Sequence, residues 1–195
     1  MRRLLLVTPA RSGTHIILRG LRNQADTALM HPQYHEGEWD RSREILYLER
    51  RDSHAWARSI IYNHHYRPHP FTGRYPDNLW THDEQHISIE YQRSILARQG
   101  PATLKPSHFK PMVLHWCTYR DFQLKNPTPW PTLYYEDLVK SADTELSRWQ
   151  LQHEPTMASV KTPKIPMAEA FRNPDEFQDM WYKWVDHEMN RLKSQ

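Results

Sequence analysis

The residues best suited to chemistry stand in one turn, Thr8-Pro9-Ala10-Arg11-Ser12-Gly13-Thr14-His15. Ser12 and Thr14 bring hydroxyls, Arg11 a fork of charged donors, and Gly13 room for close backbone approach. Ahead of the turn, the apolar run Leu4, Leu5, Leu6, Val7 reads as a strand buried on both faces. Behind it, Ile16, Ile17, Leu18 and Leu21 alternate with Arg19 and Arg22 in a helical pattern over residues 13–23. Strand, tight loop and helix in that order aim backbone N–H groups and the positive end of the helix dipole at one point. Such a point suits an anion, and above all a phosphate. The loop is not G-x-x-x-x-G-K-[ST]: Thr8 stands where the first Gly is needed and Thr14 replaces the Lys. It therefore lacks the usual equipment for a magnesium nucleoside triphosphate.

A second candidate follows the apolar run at residues 45–48. The chain there continues Glu49-Arg50-Arg51-Asp52, and Ser59 lies two helical turns further on. Arg51 with a hydroxyl forms a clamp for a second phosphate. Taken alone, Arg50 and Arg51 read as solvated strand-end charges and Ser59 as a small packing residue. Beside the first loop, the segment reads as a second anion site.

The elements that must position these residues alternate in type. A short strand is expected at 26–30, then a polar loop over 31–39, then the strand at 45–48. Asp52 or Ser53 caps a helix to about residue 63. Residues 64–80 show little periodicity and many aromatics, as in a substrate loop or lid. Thr81 with Glu84 makes a capping box for a helix whose face carries Ile87, Tyr91 and Ile95 and which ends near Gly100-Pro101. Further helices are expected at 111–124, with Val113, Trp116 and Cys117 in the core, and after Ser141, with Leu146 and Trp149. A strand is expected at 131–136. Asn173, Pro174 and Glu176 predict the start of a last helix with Phe177, Met180, Trp181, Trp184, Val185 and Leu192 at core spacing. This alternation predicts an α/β fold with a mostly parallel sheet, whose strand-end loops gather along one edge.

Composition sets the outer bounds. The 195 residues suit one domain, 1–195, and eight Trp, ten Tyr and five Phe offset an apolar fraction of 38%. A net charge of +3 fits an anionic ligand and is too mild to argue for nucleic acid. The lone Cys117 excludes an internal disulfide and a thiolate metal cluster. No stretch reaches membrane-spanning length, and the apolar run after Met1-Arg2-Arg3 is too short for a signal peptide. The expectation is a soluble, cytoplasmic protein. Metal binding is not expected: His31 and His35 are four apart, but Pro32 between them argues against one helix face, and adjacent His64 and His65 point apart.

Together these segments resemble the sulfotransferases that use 3′-phosphoadenosine-5′-phosphosulfate (PAPS). That family carries a strand followed by P-[KR]-S-G-T-[TS], matched here by Ala10-Arg11-Ser12-Gly13-Thr14-His15. It carries a second strand followed by R-D-P-x-x-x-x-x-S, matched by Arg51-Asp52-Ser53 and Ser59 at the same spacing. A third piece, Y-E-D-L, is matched by Tyr135-Glu136-Asp137-Leu138. The pieces stand in family order across residues 4–138. Departures are Ala10 and Ser53 in place of Pro, and His15 in place of a hydroxyl residue.

The resemblance implies a three-layer P-loop-type fold, a central mostly parallel sheet flanked by helices, as a single sulfotransferase-like domain. It implies that Arg11, Ser12, Gly13, Thr14 and His15 surround the 5′-phosphosulfate. Arg51 and Ser59 would hold the 3′-phosphate, with Tyr135 near the adenine or, as a packing residue, on the sheet face. The reaction implied is in-line sulfuryl transfer to a hydroxyl or amine of a glycan or small-molecule acceptor, releasing adenosine 3′,5′-bisphosphate. PAPS is then the donor and no metal is expected. Arg11 would stabilise the leaving oxygen as fixed charge. The general base would be His35 or Glu36, ranked ahead of His31. Two other readings stand beside this one: a P-loop nucleotide-dependent, kinase-like transferase, and a non-catalytic nucleotide- or polyanion-binding protein.

Overall fold

The computed structural model describes residues 1–9, 12–21, 23–32, 39–66, 89–152 and 165–194, without the side chains of His15, Ile16, Arg19, Asn63, His64 and Tyr91. Four strands form one all-parallel sheet in the order β2-β1-β3-β4: β1 (Arg2–Val7), β2 (Ala25–Met30), β3 (Glu44–Glu49) and β4 (Leu133–Tyr134). The helices are α1 (Thr14–Leu21), α2 (Ser53–Tyr66), α3 (Ile89–Gln99), α4 (Pro106–Lys125), α5 (Tyr135–Ser147), α6 (Met167–Ala170) and α7 (Gln178–Lys193).

The two-residue period of the strands sorts the apolar runs onto two faces. Leu4 and Leu6 of β1, with Leu46 and Leu48 of β3, pack against Ile17 and Leu21 of α1 and Leu138 and Leu146 of α5. Leu5, Val7 and Tyr47 point the other way, against Tyr119 and Phe122 of α4. Continuous apolar runs were the right signal because both faces are covered. A second core, rich in aromatic rings, joins α2, α3, α4, α6 and α7 around Trp56, Tyr62, Tyr66, Phe109 and Trp181. Among the described residues, no helix is long and apolar enough to cross a membrane.

Several boundaries differ from the sequence expectation. The helix expected to end near residue 63 runs to Tyr66. Tyr62 and Tyr66, one turn apart, are both fully buried, and the Tyr66 hydroxyl donates to the Ala170 carbonyl at 2.6 Å. That burial carries the helix through a stretch without regular periodicity. The irregular segment is thus shortened, and residues 67–88, with the Thr81–Glu84 box, lie outside the described residues. The helix expected at 111–124 begins at Pro106, which takes the first-turn position, while Pro111 sits inside it. Packing of Phe109, Val113 and Trp116 on either side of Pro111 offsets the one lost hydrogen bond.

The strand expected at 131–136 keeps only Leu133 and Tyr134. Tyr135 already opens α5, with Glu136 and Asp137 in its first turn, where the helix dipole favours acids. Ser141, at φ −150° and ψ 60°, breaks the helical backbone, so that two helices meet across a kink there, as expected; Leu146 lies in the second of them and Trp149 beyond its end. The last helix starts at Gln178 rather than after Asn173. Asn173 is occupied elsewhere: its amide oxygen accepts from Leu104 N–H at 2.9 Å and its amide nitrogen donates to Glu176 at 2.6 Å.

Candidate functional site

Parallel strands bring their carboxyl ends to one edge, and the register fixes how the strand-end segments line up there. Val7 lies opposite both Met30 and Tyr47, and Glu49 lies opposite Tyr134. The loop after β1, His31 after β2, Arg50 and Arg51 after β3 and Tyr135 after β4 therefore share that edge.

The described part of the first loop, Ser12 to Thr14, carries groups that could hold an anion. Ser12 is fully buried and Thr14 is 2% exposed, yet neither hydroxyl has a hydrogen-bond partner among the described residues. A buried hydroxyl without a partner costs about 1–3 kcal/mol, so two of them at the start of α1 mark a place built for something polar. Between them Gly13 adopts φ +89°, a conformation that glycine accepts freely. A Cβ on residue 13 would lie 2.3 Å from Cδ2 of Tyr135, so the ring rests directly on the glycine. These groups fit a phosphate or sulfate oxygen: hydroxyl donors, a helix N-terminus and a backbone that can be approached closely.

Two arginines after β3 grip the turn after β4. The Arg50 guanidinium lies 4.4 Å above the Tyr135 ring, and that of Arg51 lies 4.1 Å above the Tyr134 ring. Arg51 also forms an ion pair with Asp137, and its backbone N–H donates to Glu136 at 3.2 Å. Asp52 caps α2 by accepting from the N–H groups of His54 and Ala55 at 2.9 and 3.0 Å. Ser59 is buried within that helix, while the Arg51 side chain is 56% exposed. The structure thus gives Arg51 an acidic partner that sequence spacing did not reveal.

His31 extends the same edge. Its Nδ1 lies 2.7 Å from the Thr8 carbonyl oxygen, which can only accept. Nδ1 therefore carries the proton, and in the neutral ring the lone pair is at Nε2. His115 of α4, almost wholly buried, is pushed down to about 4, first by burial and then by the neighbouring His31. The remaining candidates, Arg11, His35 and Glu36, lie outside the described residues, as does the side chain of His15.

Two residues passed over in the sequence stand at this edge. Arg50 read as a solvated charge, yet its Nε is buried and has no partner among the described residues. Glu49 is 3% exposed and is held by Arg120 at 3.1 Å; burial pushes its carboxyl up, and Arg120 opposes the shift. A charged residue directly ending a buried strand was the available signal for both. Among the described residues, no three His, Cys, Asp or Glu side chains gather as a metal site. Comparison of the chain with protein-family models, with curated proteins and with solved structures gave no match.

Proposed function

We propose that this protein is a PAPS-dependent sulfotransferase of P-loop type acting on a hydroxyl or amine of a glycan or small molecule. The observation that carries the reading is the pair of buried, unpartnered hydroxyls of Ser12 and Thr14 flanking Gly13 at the start of α1. Resemblance supplies the rest, through three motifs in order. When bound, PAPS supplies an activated sulfuryl group whose leaving group is a phosphate. Ser12, Thr14 and the first N–H groups of α1 would hold the 5′ end, with Arg11 and His15 assigned beside them by resemblance. Arg51, exchanging Asp137 for a phosphate, would hold the 3′ end with Ser59, and Tyr135 would border the base.

For proton removal from the acceptor, His31 is the candidate that lies among the described residues. Its Nδ1 is held by the Thr8 carbonyl at the strand-end edge, which fixes the ring's orientation there. His35 and Glu36 keep their place as candidates by resemblance. The kinase-like reading is less well supported, since the loop has Thr14 where a Lys would meet the terminal phosphates.

Isothermal titration without metal tests the proposal, using adenosine 3′,5′-bisphosphate, AMP and ATP–Mg²⁺. Micromolar affinity for the bisphosphate, lost in Arg51→Ala and weak for AMP, is expected. Preference for ATP–Mg²⁺ would transfer the protein to the kinase-like class. Salt-sensitive binding of polyanions with no affinity for the bisphosphate would favour the non-catalytic reading.

A further inference from the structure

We infer that Arg50, and not only the arginines of the sequence motifs, is a ligand-binding cation of the Ser12–Thr14 site, held over it by the ring of Tyr135. The inference uses the anion cradle of the proposed function but does not depend on the ligand being a nucleotide.

Three observations converge. One aromatic ring separates Arg50 from Gly13: the guanidinium stacks on Tyr135 at 4.4 Å, and the same ring abuts the glycine. Arg50 has no acidic partner among the described residues, whereas its neighbour Arg51 is neutralised by Asp137. Its Nε is buried without a partner, the same condition as the Ser12 and Thr14 hydroxyls. Arg50 and Gly13 contact the same ring, and the hydroxyls that flank Gly13 share with the Arg50 Nε the lack of a partner; a single polyoxyanion carries acceptors enough for all three. The contact with the ring restrains the guanidinium, so less freedom remains to be lost on binding.

The two arginines would then divide the work at this edge. Arg51 ties the turn after β4 to the turn after β3 through Asp137 and Glu136. That tie holds Tyr135 in place, and Tyr135 presents Arg50 to the cradle. Tyr135 is a positioning residue in this arrangement.

The test is isothermal titration of the full chain with pyrophosphate at low ionic strength without metal, repeated with adenosine 3′,5′-bisphosphate. Arg50→Ala should weaken pyrophosphate at least tenfold, the loss expected for a charge-assisted hydrogen bond. Arg93→Ala, an exposed arginine on α3, removes the same net charge and should leave binding within threefold. Should Arg50→Ala fail to fold by circular dichroism, Arg50→Lys serves instead: it keeps the charge but loses the planar fork, and should weaken binding at least threefold. Affinity unchanged in the folded Arg50 variant, or matching Arg93→Ala, overturns the inference. So does failure of the wild-type chain to bind pyrophosphate. Pyrophosphate binding that depends on Arg50, without binding of the bisphosphate, would uphold the inference and defeat the nucleotide reading.

Discussion

Acid should remove a measurable share of stability through His115, an imidazole beside the proposed site. The residue is 2% exposed on α4, its ring meeting that of Trp56 edge-to-face at a centroid distance of 5.4 Å. Burial, reinforced by His31, pushes its proton affinity from the ordinary 6.5 down to about 4. The native state then binds fewer protons than the unfolded chain between those two values, so stability falls as pH falls through that window. The contribution is complete above pH 6.5 and lost by about pH 4, and it amounts to about 3 kcal/mol at 1.36 kcal/mol per pH unit. Urea unfolding at steps from pH 7.5 to pH 4 measures it. His54, His65 and His108 are also depressed by burial, so the comparison must be with His115→Gln under the same conditions. The variant should show a shallower decline by about 3 kcal/mol over the window. Equal declines, or a His115 ring proton titrating near 6.5 by NMR, would refute the reasoning.

Three further outcomes follow from the site. Gly13→Ala should lower stability by more than about 1 kcal/mol, because a Cβ meets Tyr135 and the φ is positive; thermal melts should show partial recovery in Gly13→Ala/Tyr135→Ala. Asp137→Asn removes the ion pair that helps hold Tyr135 under Arg50 and should weaken pyrophosphate binding by about two- to fivefold, measured by titration calorimetry. His31→Gln should lower the sulfuryl-transfer rate by about 10²–10⁴-fold, with affinity for the bisphosphate changed far less; an unchanged rate would point to His35 or Glu36 as base.

How far the sequence could be read depended on which force set each feature. The buried runs at Leu4–Val7 and Ile45–Leu48 were legible because a strand covered on both faces must be apolar throughout. The turn of Ser12, Gly13 and Thr14 was legible because its chemistry is local. Boundaries set by tertiary packing were not: α2 continues to Tyr66 because two tyrosines find a core contributed by distant segments. Tyr135 changed from strand to helix where β3 runs out: Glu49, its last residue, lies opposite Tyr134. Asn173 has good capping chemistry, yet Leu104, 69 positions away, claims its side chain. Arg50 and Arg51 were indistinguishable in sequence, since only the folded turn shows that one meets an acid and the other a ring over Gly13.

The brevity of β4 also bears on solubility at high concentration. A sheet edge with unpaired backbone groups is a template on which another chain can add a strand. On the β4 side, an incoming strand would find only Leu133 and Tyr134 before the backbone coils into α5. On the opposite edge, β2 carries the half-exposed carboxylate of Asp26, tied to Arg43 and Arg3. A short border on one side and a charged one on the other guard the sheet against edge-to-edge aggregation.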